Sequence, residues 1–283
     1  MKRARTVITP AMTGEGSGFL PMAMLRSMWG NRNVIRQLGA RRVEARHRGS
    51  ILGIGWTVLN PLLLLGVYTF VFTVLLKVGG NDAGSRTAFA IEMFTGMVLF
   101  SVFADTLSGA PQAIVGKPNY VKKVVFPLAA LPAAELYASF VLAGASTAVL
   151  FLAILLTQGL TWTAVAFPLV LPPLALLTMG AAWFIASLSV FIRDVATSIG
   201  VIVTMLFFLT PVFWRVRDWP EASRDLVWLN PLAILVESAR DCLLRDSWPN
   251  LTLLAACYVV AIATAQLGWM WFQRSKRGFA DAL

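Results

Sequence analysis

The sequence predicts an all-α, polytopic membrane protein with six transmembrane helices, and three observations predict it. Six long apolar stretches run through the 283 residues. Hydrophobic residues make up 58% of the chain and charged ones 13%, with a mean hydropathy of +0.72. The lysines and arginines are shared unevenly among the segments between the stretches. A soluble core helix would carry a polar stripe at helical period, and these stretches barely do. In a soluble protein the net charge of +10 would suggest nucleic acid. Here the basic residues flank apolar runs instead of forming a readable module, so no nucleic-acid partner is expected.

Residues 1–18, with Gly14, Gly16, Ser17 and Gly18, read as a flexible tail. No apolar core of a signal peptide precedes residue 57. Residues 19–56 form an amphipathic interface region. In it Met24, Leu25, Met28, Trp29, Ile35 and Leu38 recur at helical spacing, with Arg26, Asn31, Arg32, Asn33 and Arg36 on the other side. Such a helix lies in the headgroup layer or, on the alternative reading, packs on a partner.

The six-span domain covers residues 57–272, with spans near 57–76, 89–109, 126–157, 162–192, 196–214 and 251–272. The first runs 20 residues without a charge, about 30 Å of helix and enough to cross a bilayer core. The third and fourth are longer than crossing requires, so each tilts, projects or bends. Pro127 and Pro132 open one, and Pro168, Pro172 and Pro173 interrupt the other. Glu92, Asp105 and Glu135 fall within or beside spans, where an exposed charge costs about 2.5–3.5 kcal/mol. They are expected near interfaces or facing a protein interior; an ion relay is the sharper alternative, without an intramembrane base to match it.

With both termini cytoplasmic, the inner side carries 17 basic residues and the outer side 7. The positive-inside rule therefore supports an even number of spans, with residues 273–283 a cytoplasmic tail. On the opposite side, Asn230 caps and Pro231 opens an apolar-faced helix of Leu232, Leu235, Val236, Ala239 and Leu243, interspersed with Glu237, Arg240 and Asp241. It dips back toward the membrane or lies on the surface. Cys242 and Cys257 are not expected to pair, because the second lies at membrane depth.

Soluble-enzyme chemistry is nearly absent. His47 is the only histidine, and two cysteines cannot build a metal cluster. Gly116-Lys117 is followed by Pro118 where a nucleotide-binding loop needs Ser or Thr, and no Walker A motif occurs in the chain. Any ATP-driven work falls to another polypeptide.

Several blocks together resemble the type-2 ABC export permeases, in the branch that exports O-antigen, teichoic acid and related polysaccharides. They are His47-Arg48-Gly49-Ser50-Ile51-Leu52-Gly53, Trp56, Leu59-Asn60-Pro61-Leu62 and Val67-Tyr68-Thr69-Phe70-Val71-Phe72; then Asn119-Tyr120-Val121-Lys122-Lys123, Phe126-Pro127-Leu128 and Arg193-Asp194-Val195; and finally Phe207-Phe208-Leu209-Thr210-Pro211-Val212-Phe213 and Leu229-Asn230-Pro231-Leu232. The likeness spans roughly residues 20–275 in order. His47 stands where the family often has tyrosine, and Thr210 where serine is common.

The resemblance implies a multi-pass permease of the bacterial plasma (inner) membrane, acting as a homodimer with two separate ATP-binding cassette subunits that bind ATP and Mg. This chain itself would carry no cofactor. It implies a coupling helix over residues 111–125, with Asn119, Tyr120, Lys122 and Lys123 meeting the ATPase. It also implies outer gate helices over 230–246, involving Asn230, Pro231, Glu237 and Arg240. The substrate implied is a glycan on undecaprenyl pyrophosphate. Arginine forks suit its phosphates, and Arg41, Arg42, Arg46 and Arg48 cluster before the first span, where ordinary topology also explains them. Tyr68, Phe70, Phe72, Phe207, Phe208, Phe213 and Trp214 are candidates for stacking on sugars along the path, against the alternative of a lipid-facing belt. Residues 68, 70 and 72 cannot all share one helical face. An exporter of small amphiphiles, drugs or lipids would share the topology. A membrane-embedded glycosyl- or phosphotransferase fits less well, since the inner loops hold only Asp194 besides the terminal acids.

Overall fold

The computed structural model describes residues 21–46, 50–71, 83–122, 126–216 and 220–283. The tail over 1–18, together with His47, Arg48, Phe72 and Lys123, lies outside the described residues. Among those described every regular element is helical. Helix α1 (Pro21–Gly30) and α2 (Arg32–Arg46) replace the single amphipathic helix expected over 24–38. Gly30 and Asn31 are poor helix formers, and the Asn31 side-chain amide donates to the Ser27 carbonyl at 2.8 Å. Met24 is buried, and Met28, Ile35 and Leu38 pack on the same cluster. Met22, Leu25 and Trp29 form a second apolar strip that is exposed.

Helix α3 (Trp56–Phe70) begins the first expected span, whose remainder from residue 72 lies outside the described residues. Helix α4 (Ala83–Val115) is longer than expected at both ends, at 33 residues. Short α5 (Pro118–Lys122) follows, then α6 (Ala130–Thr157). The stretch over 162–192 is two elements, a 3-10 segment Trp162–Val170 and α7 (Leu171–Phe191). Pro172 and Pro173 sit in the first turn of α7, where a missing N–H costs nothing.

Helix α8 (Asp194–Leu209) stops short of the expected 214. Thr210 precedes Pro211, whose ring excludes the helical conformation from the residue before it, and Thr210 is extended with ψ of 139°. Then come α9 (Glu221–Arg224), a 3-10 turn Asp225–Leu229, α10 (Pro231–Leu244), α11 (Leu251–Ser275) and α12 (Phe279–Ala282). The expected tail is therefore partly structured. Phe279 is fully buried, its ring 5.6 Å from Phe272 and 5.9 Å from Phe191.

Four helical stretches, 87–115, 130–157, 162–191 and 251–282, are long and apolar enough to cross a membrane; α3 and α8 are shorter apolar helices. Helix α4 is largely enclosed by α6, α7, α8 and α10, whereas α6 and α11 turn most of their apolar surface outward. Helices α7 and α11 touch backbone to backbone at Gly180 and Gly268, where an added Cβ would overlap the opposite chain. Beside this contact Trp183 meets Trp269 edge-on at 5.1 Å, and its indole N–H donates to the Ala129 carbonyl. One apolar cluster fills the end of the bundle near α10, and another fills the end near α2 and α12.

Candidate functional site

Charged side chains collect at both ends of the bundle. At the α2 end the controlling feature is spacing: Arg42 and Arg46 lie four residues apart, on one face of their helix. Across from them, Asp105 and Gly109 keep the same spacing on α4, as do Glu135 and Ser139 on α6. Arg42 Nε meets Glu135 Oε2 at 2.7 Å, and Arg46 Nη1 meets Asp105 Oδ2 at 3.2 Å. Gly109 makes the closer pair possible, since a Cβ there would come within 2.7 Å of Glu135 Oε2. Together with Ser108 and Ser139 these side chains line a cavity of about 420 Å³. Arg41 is exposed and does not line it.

The two acids, placed at an interface or interior by the sequence, thus have partners on a helix outside the spans. The shared four-residue spacing was the available signal. Lys117, in the turn after α4, stands within electrostatic reach of the same group. Burial depresses its ammonium below the usual lysine range, Glu135 pulls it up and Arg42 pushes it down.

The segment expected as a coupling helix over 111–125 is divided. Residues 111–115 complete α4, with Pro111, Ala113 and Ile114 buried, because Ser189 and the apolar cluster hold that turn in the bundle. Among the described residues of this segment α5 stands clear. It exposes Asn119 and Lys122, while Tyr120 leans edge-on against Phe126 at 4.7 Å.

The candidate aromatics separate into two groups. Tyr68 packs on Phe213 at 5.8 Å, Phe213 on Phe207 at 4.8 Å, and Phe207 on Phe100 at 5.1 Å, a partner on α4 that the sequence reading missed. Phe70 and Phe208 are exposed. Trp214 is half-buried, and its indole donates to the Phe208 carbonyl.

At the α10 end the expected cap is present: the Asn230 side chain accepts from Leu232 N at 3.0 Å, and Pro231 takes the first helical position. Helix α10 sinks into the bundle, burying Leu232, Leu235, Val236, Ala239 and Leu243 as its pattern implied. It also buries Glu237 and Arg240. Arg240 donates to Glu237 at 2.7 Å, to the Glu92 carbonyl at 3.0 Å and to the Val212 carbonyl at 2.9 Å. Arg245 bridges Glu92, Glu237 and Asp241 at 2.6, 2.7 and 2.9 Å. Arg215 closes on Glu92 at 2.6 Å and lies over the Phe89 ring. Glu92 was expected near an interface or facing a protein interior; Arg215 and Arg245 were not among the candidates, and only folding brings all three beside α10. Cys242 and Cys257 are buried and unbridged. No group of three ligating side chains forms a metal site among the described residues.

This arrangement, two ionic clusters at opposite ends of a helical bundle with long apolar faces, suits a transporter. Residues 33–244 match the ABC-2 type transporter family. The chain belongs to the ABC-2 type transporter family. This ABC-2 permease is 28% identical over 270 residues to an O-antigen export system permease of Myxococcus xanthus, covering 92% of this chain and 99% of that one. It is 26% identical over 244 residues to an O-antigen export system permease of Klebsiella pneumoniae, covering 85% and 91%. The ABC-2 assignment accounts for the apolar helices and implies an ATPase partner in a membrane.

Proposed function

We propose that this chain is the permease subunit of an exporter that moves an undecaprenyl-pyrophosphate-linked, O-antigen-like polysaccharide from the cytoplasm to the outer side of the bacterial inner membrane. A separate ATPase, which binds the ATP and Mg, supplies the energy. The observation that carries this reading is the nearly end-to-end likeness to O-antigen export permeases. The paired arginines beside a cavity at one end add to it, since a guanidinium fork matches a phosphate.

In this reading two copies of the chain, each crossing six times, assemble with two ATPases, and both termini face the cytoplasm. The α2 end is the inner end, where Arg42 and Arg46 meet the pyrophosphate. Helix α5 presents Asn119, Tyr120 and Lys122 to the ATPase. Closure of the ATPase moves the spans as rigid bodies. Helix α10, with Asn230, Pro231, Glu237 and Arg240, stands at the outer mouth.

Deleting the chain tests the export claim. Lipid-linked glycan is expected to accumulate on the cytoplasmic side and surface glycan to vanish, with both restored by a plasmid copy. Normal surface glycan in the deletion strain would refute the reading, and accumulation of a small amphiphile instead would redirect it. Copurification should return the ATPase with the permease in equal number.

A further inference from the structure

The two ion pairs at the α2 end do something that a fixed tether does not require. Their acids come from two different helices, α4 and α6, and their bases from a third, α2, which packs against α6. Arg42 keeps 48% of its side chain exposed and Arg46 keeps 54%, so each guanidinium borders the cavity while paired. Each pair engages one nitrogen of a group with five donors, leaving the outer edge of the fork for another acceptor. The carboxylates differ in what release would cost them. Asp105 is 39% exposed and would return to water. The Glu135 side chain is 6% exposed, and a buried unpaired carboxylate is expensive. Lys117, in the turn after α4, lowers that cost, since its charge favours the ionised Glu135 carboxylate.

We propose that Glu135 and Asp105 are exchangeable counter-ions: a lipid-borne diphosphate displaces them from Arg42 and Arg46 on binding, and both acids reclaim the arginines when the head leaves. This rests on the reading of the cavity as the place where the anionic head of the exported lipid binds. Two bare arginines facing a diphosphate would hold it tightly, and a conduit needs binding weak enough to end. Carboxylates of matching charge supply the competition. They are positioning residues that act on the head through the arginines and set its rate of release.

The test uses the full-length permease with its ATPase in nanodiscs of zwitterionic lipid. The probes are farnesyl-diphospho-N-acetylglucosamine and, separately, inorganic pyrophosphate. D105N, which frees a half-exposed pair, is expected to bind the lipid probe about two- to fivefold more tightly, and E135Q, which removes a buried carboxylate, about tenfold, mainly through slower dissociation. Both should lower the export rate at saturating substrate, giving tighter binding with slower turnover. R42Q with R46Q should lose binding, and K117M should weaken it. A merely structural role for the acids predicts the opposite sign: binding weakened or unchanged in D105N and E135Q, which would overturn the inference. The Asp105 pair is half-exposed, so D105N carries the test even if E135Q fails to fold. A wild type that binds neither probe would remove the cavity reading and the inference together, and binding with acid-independent affinity would remove the inference alone. Inorganic pyrophosphate binding as tightly as the lipid probe would reassign the site to a free anion and overturn the release role.

Discussion

Arg240 shows how much a single residue can hold together. It is fully buried, and its guanidinium ties α10 to carbonyls on α4 and in the segment after α8. Replacing Arg240 with methionine leaves Glu237 with Arg245 alone and strips the buried Glu92 and Val212 carbonyls of a donor, so a loss of about 1–3 kcal/mol is expected in thermal or denaturant unfolding. Replacing Arg46 with glutamine breaks a half-exposed pair and should cost less than about 1 kcal/mol, which separates its proposed part in binding from stability. Cys242 gives a second check at this scale. Burial, with Asp241 nearby, pushes its thiol up to about 11, so it should resist maleimide at pH 8 in the folded protein and react once unfolded. The sequence marked Arg240 and Glu237 through their place in an apolar-faced helix. It marked Glu92 as an acid beside or within a span but could not pair it with Arg240, which lies 148 residues away in the chain.

Hydropathy located all six apolar segments among the helices but misplaced several ends, and each error has a local cause. Apolar composition continues through residues 210–214, yet Pro211 has already ended α8 at Leu209. Three prolines mark a break in the 162–192 stretch, but periodicity does not say that the first nine residues wind as a 3-10 helix. Helix α4 outlasts its most apolar part because neighbouring helices bury its last turns. Packing between elements was the least legible. Nothing in the pattern distinguishes Gly180 and Gly268, at a backbone contact between α7 and α11, from Gly144, which has open space around it. Gly268→Ala is therefore expected to lower stability by about 1–3 kcal/mol by overpacking. Gly144→Ala should leave it unchanged or raise it by about 0.5–1 kcal/mol through helix propensity. Equal melting temperatures for the two variants would contradict the contact.

For the whole molecule, the distribution of basic residues, 17 on one side against 7 on the other, predicts the orientation. Reporter fusions at residue 283 and ahead of residue 21 should both be active only in the cytoplasm. One fused in the turn between α6 and the 3-10 segment, near Gly159, should be active only outside. A periplasmic signal from either terminus would reverse the assignment of the two ends. Family and helical class were legible because they rest on composition and on motifs read along the chain. The ionic clusters were half legible: their bases and acids were visible, but which acid met which base depended on the bundle.

Helix α4 contributes a carboxylate to each cluster, Glu92 at one end and Asp105 at the other, with unbroken helix between them. Thirteen residues of rise separate the two by about 20 Å. A rod of that kind behaves as a crankshaft: twist it about its long axis and both handles sweep through the same angle. Whatever loosens Asp105 from its arginine by turning α4 also pulls on Glu92, so the two clusters answer to one mechanical part.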